Sequence, residues 1–231
     1  MLFFGTYRQD FTRTQNIIEG LKRQGVTVVE CHETLWGGIE DRIRAVNGGW
    51  KRPWFIFRLM TVYFRLLIRY LRLPDYNVMV VGYPGQLDVF MARILTRIKR
   101  RPLVWDVLMS IYLVTLERNL NQKSRFTVEL LHFAEKIGLR LPDRLIIEGE
   151  QYARWLSEEY HLPVDRFDYI PLGSNEEEFP FLGIPKLKDG IFRVMYFGSF
   201  IRNHGVDVMV DTAYLLKDEV DIYFEFIGDG P

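Results

Sequence analysis

Short apolar runs with strand character alternate with helical stretches of roughly 10 to 20 residues through most of the chain. Leu2–Phe4, Val26–Glu30, Val78–Val81, Pro102–Trp105, Arg144–Ile147 and Phe167–Ile170 are predicted strands. Phe11–Gln24, Trp54–Leu73, Val89–Arg100, Phe126–Leu141 and Gln151–Tyr160 are predicted helices. In the first helix Ile17, Ile18 and Leu21 share one face, and Gly25 stops it. Strands separated by helices cannot pair as hairpins. They form a parallel sheet with helices on both faces, so the fold class is α/β.

The alternation breaks between Pro171 and Lys188, which hold three prolines, two glycines and the acidic run Glu176–Glu178. This stretch reads as a linker. Beyond it the pattern restarts: strand Ile191–Phe197 ending in Gly198, a loop to Gly205, helix Val206–Lys217, strand Ile222–Ile227, then Gly228-Asp229-Gly230-Pro231. The expected organisation is a first domain over 1–185, with linker 171–188, and the opening β-α-β of a second over 189–231. About 40 residues are too few for a whole domain.

The chain has 231 residues and one cysteine, Cys31, which excludes an intrachain disulfide framework and suits a reducing compartment. Arg8, Asp10 and Arg13 follow the first apolar residues at once, so no secretory signal peptide is read. No uncharged apolar run approaches about 18 residues, so no membrane span is read. The formal net charge of zero conceals a polarity: residues 1–110 hold 17 Lys/Arg against 9 Asp/Glu, and residues 111–231 hold 13 against 21. Between Arg42 and Pro74 lie eight basic residues and no acid, a segment that attracts anions.

Three stretches resemble a known family. Arg144-Leu145-Ile146-Ile147-Glu148-Gly149-Glu150 matches a strand and its following turn. Ile170-Pro171-Leu172-Gly173-Ser174-Asn175, three glutamates and Phe179 match an I-P-N-G-V-D-x-x-x-F linker. Val194–Gly205 and Phe226–Pro231 match V-x-x-x-G-R-x-x-x-x-K-G and I-G-x-G-P segments. Taken in order they run from Arg144 to Pro231, and the chain resembles the GT-B glycosyltransferases, and within them the retaining family called glycosyltransferase family four. The resemblance implies two Rossmann-like domains facing a cleft, the first holding the acceptor and the second the nucleotide-sugar donor. It implies a retaining transfer of a sugar from a nucleotide diphosphate to a hydroxyl of a glycan or lipid-linked acceptor, as in polysaccharide biosynthesis. The family's acidic donor motif would lie beyond Pro231, so the donor-side domain is read as truncated and these 231 residues alone are expected to show no turnover.

Departures from the pattern include Leu172 for Asn, Asn175 for Asp, Ser199 for Arg and His204 for Lys. The Arg and Lys of the family grip the donor diphosphate. Here that work would fall to backbone N–H groups of Gly198, Ser199 and Gly205 at a helix N-terminus, to Arg202 and His204, and to close approach at Gly228 and Gly230. A plain turn with solvated polar side chains is the competing reading. On the acceptor side the resemblance points to Gly5, Thr6 and Arg8, and to Asp106 as the catalytic-side carboxylate orienting the attacking hydroxyl. An ordinary strand-to-helix turn and an N-cap are the alternatives for these positions. His32, Glu148 and Glu150 also reach the carboxyl-end rim. The four histidines show no ligand spacing, so no metal site is read, and no cofactor is expected beyond the nucleotide-sugar substrate.

Arg58, Arg65, Arg69 and Arg72 fall on one stripe of the helix around Trp54, and the other positions are nearly all apolar. That composition suits a helix lying in the interface of an anionic membrane, with Trp54 and the arginines in contact. A sheet-packing helix with a solvated stripe is the alternative. The expected location is the cytoplasm, peripheral on the inner membrane face. Two other functions stay in view: a non-catalytic nucleotide-sugar or glycan-binding module with a degenerate donor site, and a nucleic-acid binder using residues 42–101. The second is disfavoured, because its basic residues are interleaved with aliphatic rather than stacking positions.

Overall fold

The computed structural model describes residues 1–35, 37, 49–117, 125–183, 189–201 and 204–230. The described chain divides into two compact units, Met1–Asn175 and Glu176–Pro231, so the division falls within the proline- and acid-rich segment.

In the first unit, strands β1 (Leu2–Gly5), β2 (Val29–His32), β3 (Met79–Val81), β4 (Leu103–Asp106), β5 (Arg144–Ile147) and β6 (Phe167–Tyr169) form one sheet in the order β2-β1-β3-β4-β5-β6. Every neighbouring pair is parallel. The helices are α1 (Thr12–Arg23), α2 (Pro53–Leu71), α3 (Asp88–Lys99), α4 (Ile111–Glu117), α5 (Arg125–Gly138) and α6 (Glu150–Tyr160). This is a Rossmann-like α/β fold. The strand order reverses between β1 and β3, and at such a switch point the loops leave the sheet in opposite directions and open a crevice at the carboxyl ends.

The two-residue period of each strand sorts its side chains. Phe4, Val81, Trp105 and Leu145 pack with Leu66 of α2, Val89 and Leu95 of α3 and Leu156 of α6. Phe3 and Val80 point the other way and meet Ile18 of α1, with Ile17 and Leu21 beside them. Each fully buried side chain of this size contributes about 1.5–3 kcal/mol. Strands buried on both faces read as continuous apolar runs, as Leu2-Phe3-Phe4 and Met79-Val80-Val81 do.

Two elements differ from expectation. The second strand begins at Val29 rather than Val26, because its ladder starts where β1 starts, with Leu2 opposite Val29. Helix α4 has no counterpart in the sequence reading, because its seven residues carry no apolar period of their own. It is held from outside: Ser110 Oγ accepts from Leu113 N at 3.1 Å, and the buried Glu135 carboxylate of α5 accepts from Ile111 N at 2.9 Å, Ser110 Oγ at 2.5 Å and Tyr160 Oη at 2.6 Å.

In the second unit β7 (Phe192–Phe197) and β8 (Ile222–Ile227) pair in parallel, with Phe192 opposite Ile222 and Phe197 opposite Ile227. Helix α7 (Val206–Leu215) crosses between them. It buries no residue, and Phe192, Met195 and Phe197 of β7 remain exposed.

Cys31 sits in the core with 0% exposure, and burial pushes its thiol up to about 12. A thiolate is the species that alkylates. Iodoacetamide at pH 8 is therefore expected to leave Cys31 unmodified in the folded protein and to label it fully in denaturant, with intact mass as the readout. Full labelling of the folded chain would contradict the burial of β2.

Candidate functional site

The carboxyl ends of β1 and β2 frame a cleft of about 250 Å³ lined by Thr6, Tyr7, Arg8, Gln9, Asp10, His32 and Thr34, with Gly37 at its edge. It is smaller than the roughly 300–1,000 Å³ of clefts for drug-sized ligands, so it suits one small polar group. Behind Thr6 lies the buried Asp88, at the start of α3. This carboxylate accepts Thr6 N at 2.8 Å, Thr6 Oγ1 at 3.1 and 3.2 Å, and Tyr63 Oη at 2.5 Å. Burial raises the Asp88 pKa, while these donors and the charge of His32 pull it down. The helix N-terminus also favours an anion there.

Gly5 has φ 132°, a conformation that side-chain-bearing residues rarely adopt, and an added Cβ would stand 2.5 Å from Asp88 Oδ2. The glycine therefore makes room for Asp88 rather than for a ligand. Thr6 is present in the cleft wall, but its hydroxyl is turned to Asp88. Arg8 is held by Asp10 in a two-point pair, Nε to Oδ1 at 3.0 Å and Nη2 to Oδ2 at 2.6 Å, and that pairing raises its pKa. An anionic ligand at Arg8 would compete with Asp10. His32 is nearly buried, and its Nε2 lies 2.7 Å from the Tyr7 carbonyl, so Nε2 carries a hydrogen and donates it. Tyr7 in turn donates to Glu30 Oε2 at 2.8 Å, and burial and that carboxylate push its phenol well up.

Asp106 has a partner that neither sequence reading supplied. It is 2% exposed, and Arg13 of α1 holds both carboxylate oxygens: Nε donates to Oδ1 at 3.0 Å and Oδ2 at 3.1 Å, and Nη2 to Oδ1 at 2.9 Å. The remaining Nη1 donates to the Ile170 carbonyl at 2.8 Å. Burial raises the Asp106 pKa and Arg13 partly offsets it. In this geometry the carboxylate has no open side for a hydroxyl, and the helix-capping job belongs to Ser110. A signal was present in the sequence. Arg13 stands on the stripe of Ile17, Ile18 and Leu21, and a cation on an apolar stripe needs a buried partner.

The glycines after β3 resemble Gly5 in use. A Cβ on Gly82 would meet the Tyr7 side chain at 2.8 Å, and one on Gly85 would meet Trp105 Nε1 at 2.4 Å. Glu150 pairs with Arg154 on the outside of α6 at 2.6 Å.

Within the second unit the loops after β7 and β8 interlock. Gly198 N donates to Ile227 O at 3.0 Å and Phe200 N to Asp229 O at 2.9 Å. A Cβ on Gly228 would stand 1.9 Å from Gly198 O, and one on Gly230 2.3 Å from Phe200 O. These two glycines therefore seat one loop against the other. Gly205, with φ 65°, has open space at its Cβ position and caps the N-terminus of α7. His204 Nδ1 lies 2.9 Å from the Ser199 carbonyl, to which Tyr196 Oη also donates at 2.9 Å. The carbonyl only accepts, so Nδ1 carries a hydrogen and Nε2 is the ring nitrogen left for a further contact. Arg202 lies outside the described residues.

No group of three or more His, Cys, Asp or Glu side chains that could hold a metal ion occurs among the described residues. No family model and no curated protein matches the chain. Among solved structures it is similar to Anabaena Alr3699/HepE in complex with UDP and glucose, at 12% identity and a TM-score of 0.47, with 100% of this chain and 61% of that one covered. The chain thus spans about 61% of that protein's length. The Rossmann-like assignment stands on the sheet order and its helical layers, independently of this likeness.

Breaking a buried ion pair from one side leaves an uncompensated charge and costs about 3–5 kcal/mol. Arg13→Ala and Asp106→Asn are each expected to lower the unfolding free energy by that order in urea titrations. The double apolar replacement Arg13→Met with Asp106→Leu should recover most of the loss. Single variants as stable as the parent would remove the pair from its structural role.

Proposed function

We propose that this chain supplies the acceptor side and the opening of the donor side of a retaining glycosyltransferase. The enzyme would use a nucleotide-diphosphate sugar and a glycan or lipid-linked hydroxyl acceptor, as in polysaccharide biosynthesis. The reaction would run in the cytoplasm, where such donors are drawn on, and without a metal. The observation that carries this reading is a repetition. Both units open with a parallel β-α-β whose first strand ends at or runs directly into a glycine of unusual backbone, Gly5 at φ 132° and Gly198 at φ 151°. The ordered linker and loop segments that resemble family four support it.

The cleft beside Thr6 and Arg8 is the proposed seat of an acceptor group. The donor diphosphate would sit at the N-terminus of α7, over Gly205, where backbone N–H groups and the helix dipole attract phosphate. His204 would add a charge-assisted hydrogen bond through Nε2 in its doubly protonated form, since Nδ1 is already committed to Ser199. Ser199 offers no charge, and Arg202 is the proposed second cation. Catalysis would come from orienting the two substrates and stabilising the departing diphosphate. Asp106 takes no direct part in this scheme.

The internal engagement of His204 favours a second reading, a binding module with a degenerate donor site. Titration calorimetry with UDP, GDP and ADP separates the cases. One nucleoside diphosphate is expected to bind, with His204→Ala weakening it by about tenfold, the worth of one charge-assisted hydrogen bond. Binding without any sugar transfer by a chain carrying a complete donor domain would favour the binding module. No binding of any diphosphate would remove the donor site from this loop.

A further inference from the structure

Helix α2 carries the largest feature that the proposed activity leaves unused. Its inner face, Val62, Leu66 and Tyr70, packs on the sheet. Its outer face is apolar as well: Trp54, Phe57, Met60, Phe64 and Leu71 are each between 63% and 73% exposed. Their spacing of three, three, four and seven residues puts them on one side of the helix. Arg65 and Arg72 border that side, and Thr61 within it turns its hydroxyl back to the Phe57 carbonyl at 2.9 Å.

The arginine stripe divides into two functions. Arg58 donates to the Leu35 carbonyl, and Arg69 reaches the His32 carbonyl and pairs with Glu33 at 3.1 Å. These two fasten α2 to the end of β2. Arg65 and Arg72 stand exposed beside the apolar side with no ion-pair partner among the described residues. Between Arg42 and Pro74 the sequence contains no acid to neutralise them.

We propose that the outer face of α2 is a docking surface for an anionic phospholipid bilayer. The helix would lie in the interface plane with Phe57, Met60 and Phe64 in the acyl boundary and Arg65 and Arg72 at the headgroups. Charge complementarity selects this occupant. A second copy seated face to face would bring the same arginines together without a counter-charge. No helix among the described residues is long and apolar enough to cross a membrane, so the contact is one of surface seating. Helix α5 can widen the seat. Phe126, Leu130 and Phe133 are exposed on one of its sides, and Trp50, just ahead of α2, donates to Thr127 Oγ1 at 3.4 Å. The proposal stands independently of the sugar-transfer reading.

Vesicle flotation of the full chain tests it, using phosphatidylcholine alone and phosphatidylcholine mixed with phosphatidylglycerol. The protein is expected to float with the mixed vesicles and not with the neutral ones. Phe57→Ser with Phe64→Ser should reduce the bound fraction at least about tenfold with the thermal midpoint unchanged, since both side chains are exposed. Arg65→Ala with Arg72→Ala should weaken binding about thirtyfold, the loss expected when two basic side chains leave an anionic surface. Equal binding to both vesicle types, or binding indifferent to both pairs of substitutions, overturns the proposal. So does a dimer in sedimentation analysis that Phe57→Ser with Phe64→Ser abolishes while no vesicle binding is seen. Should the serine pair fail to fold, the arginine pair and the lipid comparison still decide the matter.

Discussion

The buried pair of Arg13 and Asp106 organises the carboxyl-end rim of the first unit. One guanidinium binds the last residue of β4 and the carbonyl of Ile170, just after β6, while its own helix covers the far face of the sheet. Asn16 of the same helix donates to the Gly173 carbonyl at 2.8 Å and holds the chain as it leaves the sheet. A charge removed from water this completely is tolerable only when every donor has a target. The consequence for function is spatial. The carboxylate most prominent in the sequence is consumed by the scaffold, and the cleft at the ends of β1 and β2 is lined instead by Thr6, Arg8, Asp10 and His32.

The glycines behave in two ways that residue type does not distinguish. Gly5, Gly82, Gly85, Gly228 and Gly230 are each occupied from within, by Asp88, Tyr7, Trp105 and the backbone of the facing loop. Among the described glycines only Gly205 combines a left-handed backbone with open space at a helix N-terminus. A glycine at a strand end signals that something comes close; whether that is a ligand or another part of the protein depends on what the fold brings there.

The α/β class and the restart after the linker were readable in order. Short continuous apolar runs and period-3.6 stripes are local properties, and Met79-Val80-Val81 and the stripe of Ile17, Ile18 and Leu21 display them directly. Helix α4 escaped because its stability comes from Glu135 and Ser110 rather than from its own pattern. The α2 helix was legible as basic and apolar. That Arg58 and Arg69 are spent on fastening it, and that the exposed apolar side carries Phe57, Met60 and Phe64, required the packing.

By itself the sequence determined that parallel strands and helices would alternate and that a second β-α-β would follow the first unit. Only the tertiary structure decided that Asp106 is taken by Arg13, 93 residues away, and that Asp88 is the anchor for Thr6, 82 residues away. The first set depends on contacts between near neighbours along the chain. The second depends chiefly on strand order and on which loops meet at the rim, and no local period encodes either.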